Sequence, residues 1–362
     1  MAEQRSTQQA IALAVAANLP VIIWGAPGTG KTSSVIALGR DLGLPVEVVV
    51  GSLREPSDFL GLPVLREGNT YFAPPRWAQR LAESGTGLLF LDELTTAPPA
   101  VQAAMLRIIL ERTVGDLELP PQVRIVAAAN PPEHAADGWD LSAPLANRLI
   151  HLDWTVDAAV IAEGFTSGFR VPELVTAQPP TAAAIARARS LVGAFLRVRP
   201  ELVLAVPDNP DTAGRSWPSP RSWELAARAI AASSQSGAAE EVRAELVLGA
   251  VGDSAGFELL SWLRNLDLPD PRELLADPAA PLPDRVDRLH ALLGALVAHV
   301  NTEGDVAVWE GAWAVIARVA RKAPDVAASA ARALAAQRPA GAQLPKTMLE
   351  LAPILRAAGL LT

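Results

Sequence analysis

The chain has 362 residues, half of them apolar, with 31 basic and 39 acidic residues and a formal net charge of −8. That length suggests two or three domains with ample core, and the apolar content excludes a disordered chain. The absence of cysteine excludes disulfides, thiolate catalysis and Cys-ligated zinc, and it fits a reducing compartment.

The acidic balance leaves no electrostatic footprint for nucleic acid, though it does not bear on a basic channel formed in an oligomer. His134, His151, His290 and His299 show no metal-ligand spacing, and His290 and His299 lie on alanine-rich helical stretches. No apolar run approaches a membrane span. The stretch from Ile11 to Trp24 resembles the core of a signal peptide. The residues before it carry no net positive charge, and cleavage there would remove the strand that feeds the next motif. Export and membrane insertion are therefore not expected, and a cytoplasmic location is.

In chain order, residues 7 to 18 read as a short helix and Val21–Trp24 as a β-branched, aromatic strand. Gly25-Ala26-Pro27-Gly28-Thr29-Gly30-Lys31-Thr32 then matches the phosphate-loop pattern G-x-x-x-x-G-K-[ST]. A chance match in a chain this long is on the order of one in a hundred. The chain has three lysines against 28 arginines, and Lys31 alone falls in the first 321 residues. The loop predicts backbone N–H groups turned toward the phosphates of a nucleotide, with Lys31 on the β- and γ-phosphates and the Thr32 hydroxyl on Mg²⁺. The nucleotide contacts are taken as Gly25, Ala26, Pro27, Gly28, Thr29, Gly30, Lys31, Thr32 and Ser33. A helix follows from Ser33 to Arg40 and stops near Gly43.

Further apolar strands follow at Val46–Val50, Leu88–Leu91, Val123–Ala129 and Leu149–Leu152, with helical stretches between them. Short continuous strands between helices indicate a parallel sheet covered on both faces, whose ligands bind at the carboxyl ends of the strands. The third strand ends in Asp92-Glu93. Beside a phosphate loop, such an Asp orients Mg²⁺ and the next Glu can polarise an attacking water; alone, the pair could be plain loop carboxylates. The fourth strand ends in Asn130, which could bond the lytic water or γ-phosphate, or form a turn before Pro131-Pro132. Spacing alone does not separate the two. Hairpin signals occur at Arg66-Glu67-Gly68-Asn69 and Val114-Gly115-Asp116.

After Trp154 the chain becomes rich in Ala, Arg and Leu at helical spacing, as in Ala182–Leu196, Ser222–Ala232, Arg285–Val300 and Val308–Ala320. Proline-rich joints lie at Gln178-Pro179-Pro180, Val206 to Pro220 and Leu268 to Pro283. Three domains are expected: an α/β nucleotide-binding core at 1–154, a helical lid at 155–265 and a helical extension at 266–362. Ser219 and Pro220 read as an N-cap and first helical residue, which puts Arg221 in a first turn. Trp309 and Trp313, one helical turn apart, read as core.

The set GAPGTGKT, LLFLDEL, VAAANPP, LANRL and PSPRSW, in this order over residues 5 to 265, resembles a AAA+ ATPase, and more narrowly the MoxR family of the helix-2-insert clade. The resemblance implies a phosphate-loop parallel sheet flanked by helices and followed by an all-helical lid. It implies ATP and Mg²⁺, with Thr32 and Asp92 at the metal and Glu93 as the residue that activates water. It makes Asn130 a sensor, Arg148 an arginine finger for the neighbouring subunit, and Arg221 a second sensor on the lid. Either arginine could instead be an ordinary surface side chain. The family pattern is often Asp-Arg-Phe where this chain has Asn147-Arg148-Leu149.

The two hairpins match the family's helix-2 insert and pre-sensor hairpin. A ring, expected to be a hexamer, is implied, with a von Willebrand factor A domain partner and a client protein that is matured or remodelled. Alternatives are a nucleic-acid motor, an ATP-gated scaffold of a regulatory or defence complex, and a small-molecule kinase. The last leaves the insertions and Arg221 without a role.

Overall fold

The computed structural model describes residues 2–131, 138–168, 179–277 and 279–357. Pro132, His134 and Gln178 lie outside the described residues. Nine strands occur among the described residues: β1 (Val21–Trp24), β2 (Val46–Val50), β3 (Leu62–Arg66), β4 (Asn69–Ala73), β5 (Gly87–Asp92), β6 (Thr113–Val114), β7 (Leu117–Glu118), β8 (Val123–Ala129) and β9 (Ile150–Asp153). Five of them form one parallel sheet in the order β2-β5-β8-β1-β9. Every residue of β1 is buried, and so is every residue of β5 before Asp92. Burying each large apolar side chain there contributes about 1.5–3 kcal/mol. This is the sheet that the continuous apolar runs predict.

The chain divides into two compact units, residues 1–179 with 204–257, and residues 180–203 with 258–362. The first contains the sheet with α1 (Ala2–Ala16), α2 (Lys31–Asp41), α3 (Ser57–Leu60), α4 (Arg76–Ser84), α5 (Pro99–Glu111), α6 (Ala143–Ala146) and α7 (Ala158–Ser167). Helix α1 starts well before residue 7. Its polar residues are not a solvated lead-in: Gln4 and Thr7 are buried, and Gln4 Oε1 accepts from Asp157 N at 2.9 Å.

The second unit begins with α8 (Ala182–Val198). The first unit then adds α9 (Pro210–Ala213), α10 (Pro220–Ser236) and α11 (Glu240–Val251). Helix α11 packs on β9 so closely that a Cβ on Gly249 would stand 2.1 Å from His151 O. The expected lid at 155–265 is thus not one body. Residues 180–203 and those from 258 on belong to the second unit.

That unit also holds most of α12 (Asp253–Arg264), together with α13 (Pro271–Ala276), α14 (Val286–Glu303), α15 (Val306–Ala320), α16 (Pro324–Ala335) and α17 (Lys346–Ala357). Helix α8 lies along α14, with Gly294 against Ser190 at the crossing. Its composition is the same alanine-rich mixture as the helices before α12, so only its partner distinguishes it. Trp309 and Trp313 are buried in this unit as an edge-to-face pair with centroids 5.7 Å apart, and Trp309 Nε1 donates to Leu334 O at 3.0 Å. No helix of the described residues is long and apolar enough to cross a membrane.

Candidate active site

The Gly25–Thr32 loop leaves the carboxyl end of β1, between β8 and β9. Neighbouring elements set its path. Gly25 N donates to Ala129 O at 3.2 Å, Thr29 Oγ1 to Ala26 O at 2.7 Å, and Trp154 Nε1 to Thr29 O at 3.1 Å. Gly28 and Gly30 have φ of +75° and +87°, which a side chain would strain. Helix α2 then starts at Lys31 without a side-chain cap, so its first N–H groups and positive dipole end face the loop.

Lys31 is buried, and its Nζ donates to Gly25 O at 2.6 Å, Ala26 O at 2.9 Å and Asn130 Oδ1 at 3.3 Å. Burial lowers its pKa from the ordinary lysine range, while Asp92 and Glu93 push it back up. Thr32 Oγ1 donates to Asp92 Oδ2 at 2.6 Å. Glu93 follows β5 in a left-handed conformation with φ +57°, and its carboxylate accepts from the Ser52 hydroxyl. The ends of β1, β5 and β8 thus bring Lys31, Thr32, Asp92, Glu93 and Asn130 into one cluster.

This donor set fits Mg²⁺: one hydroxyl and one carboxylate, both hard oxygen ligands, leave room for phosphate oxygens and water. Among the described residues no cluster of three or more His, Asp or Glu side chains could hold a metal by itself. A cavity of about 1110 Å³ opens against Gly28–Gly30 and Ser33, walled by α1, α2 and α7. Ile11, Val35, Val160 and Ile161 supply apolar walls, and Gln4 and Gln8 polar groups. That combination suits a flat heterocycle with a sugar. Pro27, by contrast, is exposed.

Arg148 and Arg221 lie apart from this cluster in the hydrogen-bond pattern but near each other. Arg148 Nη1 donates to Pro144 O, and its Nε is buried with no partner among the described residues. Burial, and then the positive charge of Arg221, lower the Arg148 pKa from its ordinary value. Arg221 is exposed in the first turn of α10, whose N-cap is Ser219, with Pro220 at the first position and a capping box closed by Ser222.

Sequence patterns did not single out four further residues. Ser52 holds Glu93. Thr95 is buried and bonds both Asn130 O at 3.1 Å and Asn130 N at 3.2 Å. Trp154 holds the loop. His151 accepts from Trp24 Nε1 at 2.9 Å, and its Nε2 meets Ala146 O at 3.0 Å, beneath the residue that starts the loop. No short motif marks these positions. Only the predicted strand ends, which place residues 52, 95 and 154 near the loop, could have drawn attention to three of them.

Both hairpin expectations correspond to antiparallel ribbons, β3–β4 and β6–β7. Glu67 and Gly68 both have positive φ at the first turn. The ribbons touch: Phe72 N donates to Asp116 Oδ2 at 2.8 Å, and Asp116 N to Phe72 O at 3.1 Å. Leu62, Leu65 and Phe72 remain exposed.

Residues 20–149 match the family described as AAA domain (dynein-related subfamily). The chain is 36% identical over 123 residues to the Psp operon transcriptional activator of Escherichia coli (strain K12), covering 31% of this chain and 37% of that one. It is 30% identical over 132 residues to the C4-dicarboxylate transport transcriptional regulatory protein DctD of Rhizobium meliloti (strain 1021), covering 31% and 26%. The matches thus span well under half the length of either relative.

Among solved structures, a candidate ATPase from Cytophaga hutchinsonii aligns at 18% identity and TM-score 0.45, over 69% of this chain and 81% of that one. A full-length MCM homolog from Methanopyrus kandleri aligns at 18% and TM-score 0.39, over 70% and 54%. With the parallel sheet, the phosphate loop and the acid pair at the end of β5, residues 20–149 have the α/β fold of the AAA domain that their sequence resembles.

Proposed function

We propose that the chain hydrolyses Mg-ATP at a site shared between subunits of a ring, expected to be hexameric, and uses the cycle to remodel a client protein. The observation that carries this reading is the meeting of three strand ends. Lys31 lies 3.3 Å from Asn130, and Thr32 lies 2.6 Å from Asp92, with Glu93 next in the chain. Thr32 and Asp92 would hold Mg²⁺, which offsets phosphate charge when bound. Lys31 and the loop N–H groups from Gly28 to Ser33 hold the phosphates, with Gly25, Ala26 and Pro27 shaping the loop around them. Glu93 draws a proton from the attacking water, and Asn130 orients that water or the γ-phosphate. Arg148 supplies positive charge to the neighbour's transition state, and Arg221 senses the nucleotide from the first turn of α10.

The narrower MoxR-like reading rests on the order of the motifs and on the two joined ribbons with their exposed Leu62, Leu65 and Phe72, which suit contact with a client or a von Willebrand factor A domain partner. A cytoplasmic site of action accords with the cysteine-free composition.

Lys31→Ala should lose nucleotide binding. Glu93→Gln should bind ATP without turning it over, and normal hydrolysis by Glu93→Gln would show the catalytic assignment to be wrong. A second reading is favoured by the two relatives, both transcriptional regulators by name. In it the ATPase serves a complex on DNA. Several-fold stimulation of turnover by DNA would support it, and the net charge of −8 weighs against it.

A further inference from the structure

We propose that Asn147 is a positioning residue that fixes Arg148 and Arg221 in one frame, so that the two guanidiniums serve two nucleotide sites in a set relation. The proposal rests on the ATPase reading above. Asn147 is 5% exposed and directly precedes Arg148. Its Oδ1 accepts from Ser219 Oγ at 2.6 Å, and its Nδ2 donates to Trp217 O at 3.0 Å. Ser219 Oγ also caps α10 by accepting from Ser222 N at 3.1 Å. Ser222 Oγ donates to Trp217 O at 2.8 Å and accepts from Ser219 N at the same distance.

Arg221 stands between Ser219 and Ser222 in this network. The backbone segments that carry the two arginines cannot shift relative to each other without breaking a buried hydrogen bond. The bonds hold two like charges together against their repulsion.

The chemistry selects an amide. One atom must accept from a hydroxyl while its partner donates to a carbonyl. A carboxylate would keep the first bond and turn the second into a contact between two oxygens. A protonated carboxyl would restore both. The Asn at this position therefore has a local reason.

The test is Lys31-dependent ATP turnover by Asn147→Asp relative to wild type from about pH 6 to about pH 9, since burial raises the pKa of the introduced carboxyl. The ratio should be near one at the acid end and fall roughly tenfold at the alkaline end. ATP affinity should weaken at the alkaline end as well, but not in an Arg221→Ala background. A ratio that does not change with pH, or an equal loss of affinity with Arg221 removed, overturns the proposal. Ser219→Ala provides a second route should Asn147→Asp not fold: it should lower turnover at every pH, and unchanged turnover counts against the proposal. If Lys31→Ala leaves turnover unchanged, the ATPase reading fails and this proposal with it. A flat ratio alongside Lys31-dependent turnover sinks this proposal alone.

Discussion

The His151 imidazole makes the sheet that carries the phosphate loop sensitive to acid. Burial pushes its pKa from 6.5 down to about 4; the Ala146 carbonyl raises it, Arg215 lowers it and Asp153 raises it. Both ring nitrogens are engaged in the neutral form, Nδ1 by Trp24 and Nε2 by Ala146. Above the ordinary histidine pKa neither the folded nor the unfolded state holds the proton, so the group leaves stability unchanged. As pH falls from about 6.5 toward about 4, the unfolded chain takes up a proton that the folded chain refuses, and stability falls. Between about pH 7.5 and about pH 5 the loss works out to about 2 kcal/mol.

The assay is urea unfolding at both pH values for wild type and His151→Asn. The variant is less stable at neutral pH, but its pH dependence should be shallower by about 2 kcal/mol. Equal pH dependence in the two proteins, or an NMR titration of His151 with a midpoint near 6.5, would refute the reasoning.

Three further outcomes follow from hydrogen bonding and packing. Thr95→Val keeps the shape but strips Asn130 of partners for its backbone N–H and C=O, and should cost about 1–3 kcal/mol in urea unfolding. Gly249→Ala sets a methyl 2.1 Å from a backbone carbonyl of β9 that cannot yield, and should destabilise by about 1–3 kcal/mol. Gly193→Ala in α8, which meets nothing within 4 Å, should be neutral or stabilising in the same melts. An equal effect of the two glycine changes would contradict the close packing of α11 on β9.

The nucleotide-binding half was legible because its signals are local. Val21–Trp24 begins and ends where its apolar run does, as a fully buried inner strand must, while Val46–Val50 and Val123–Ala129 are marked by apolar residues around a single half-buried charge, Glu47 and Arg124. Ser219, Pro220 and the positive-φ turn at Glu67-Gly68 were legible for the same reason, as each is chemistry confined to a few residues. What pairs over long distances was not. Helix α8 belongs with α14, and nothing within residues 182–198 says so. Gln4 falls before the helix expected at residues 7 to 18, yet its side chain accepts from the backbone N–H of Asp157. Ser52, Thr95 and Asn147 gain meaning only once the strand ends and α10 are brought together in space.

The claim that the site is shared between copies of the chain is tested most directly by mixing two inactive variants. An Arg148→Ala subunit keeps its own loop and Glu93 but denies its neighbour the finger. A Glu93→Gln subunit lacks the base but still offers Arg148. Each alone should turn over almost no ATP. Mixed in equal amounts and reassembled, they should recover roughly a quarter of wild-type turnover, the share of interfaces that pair an intact Glu93 with an intact Arg148. Turnover that stays at the level of the separate variants would contradict a site built from two subunits.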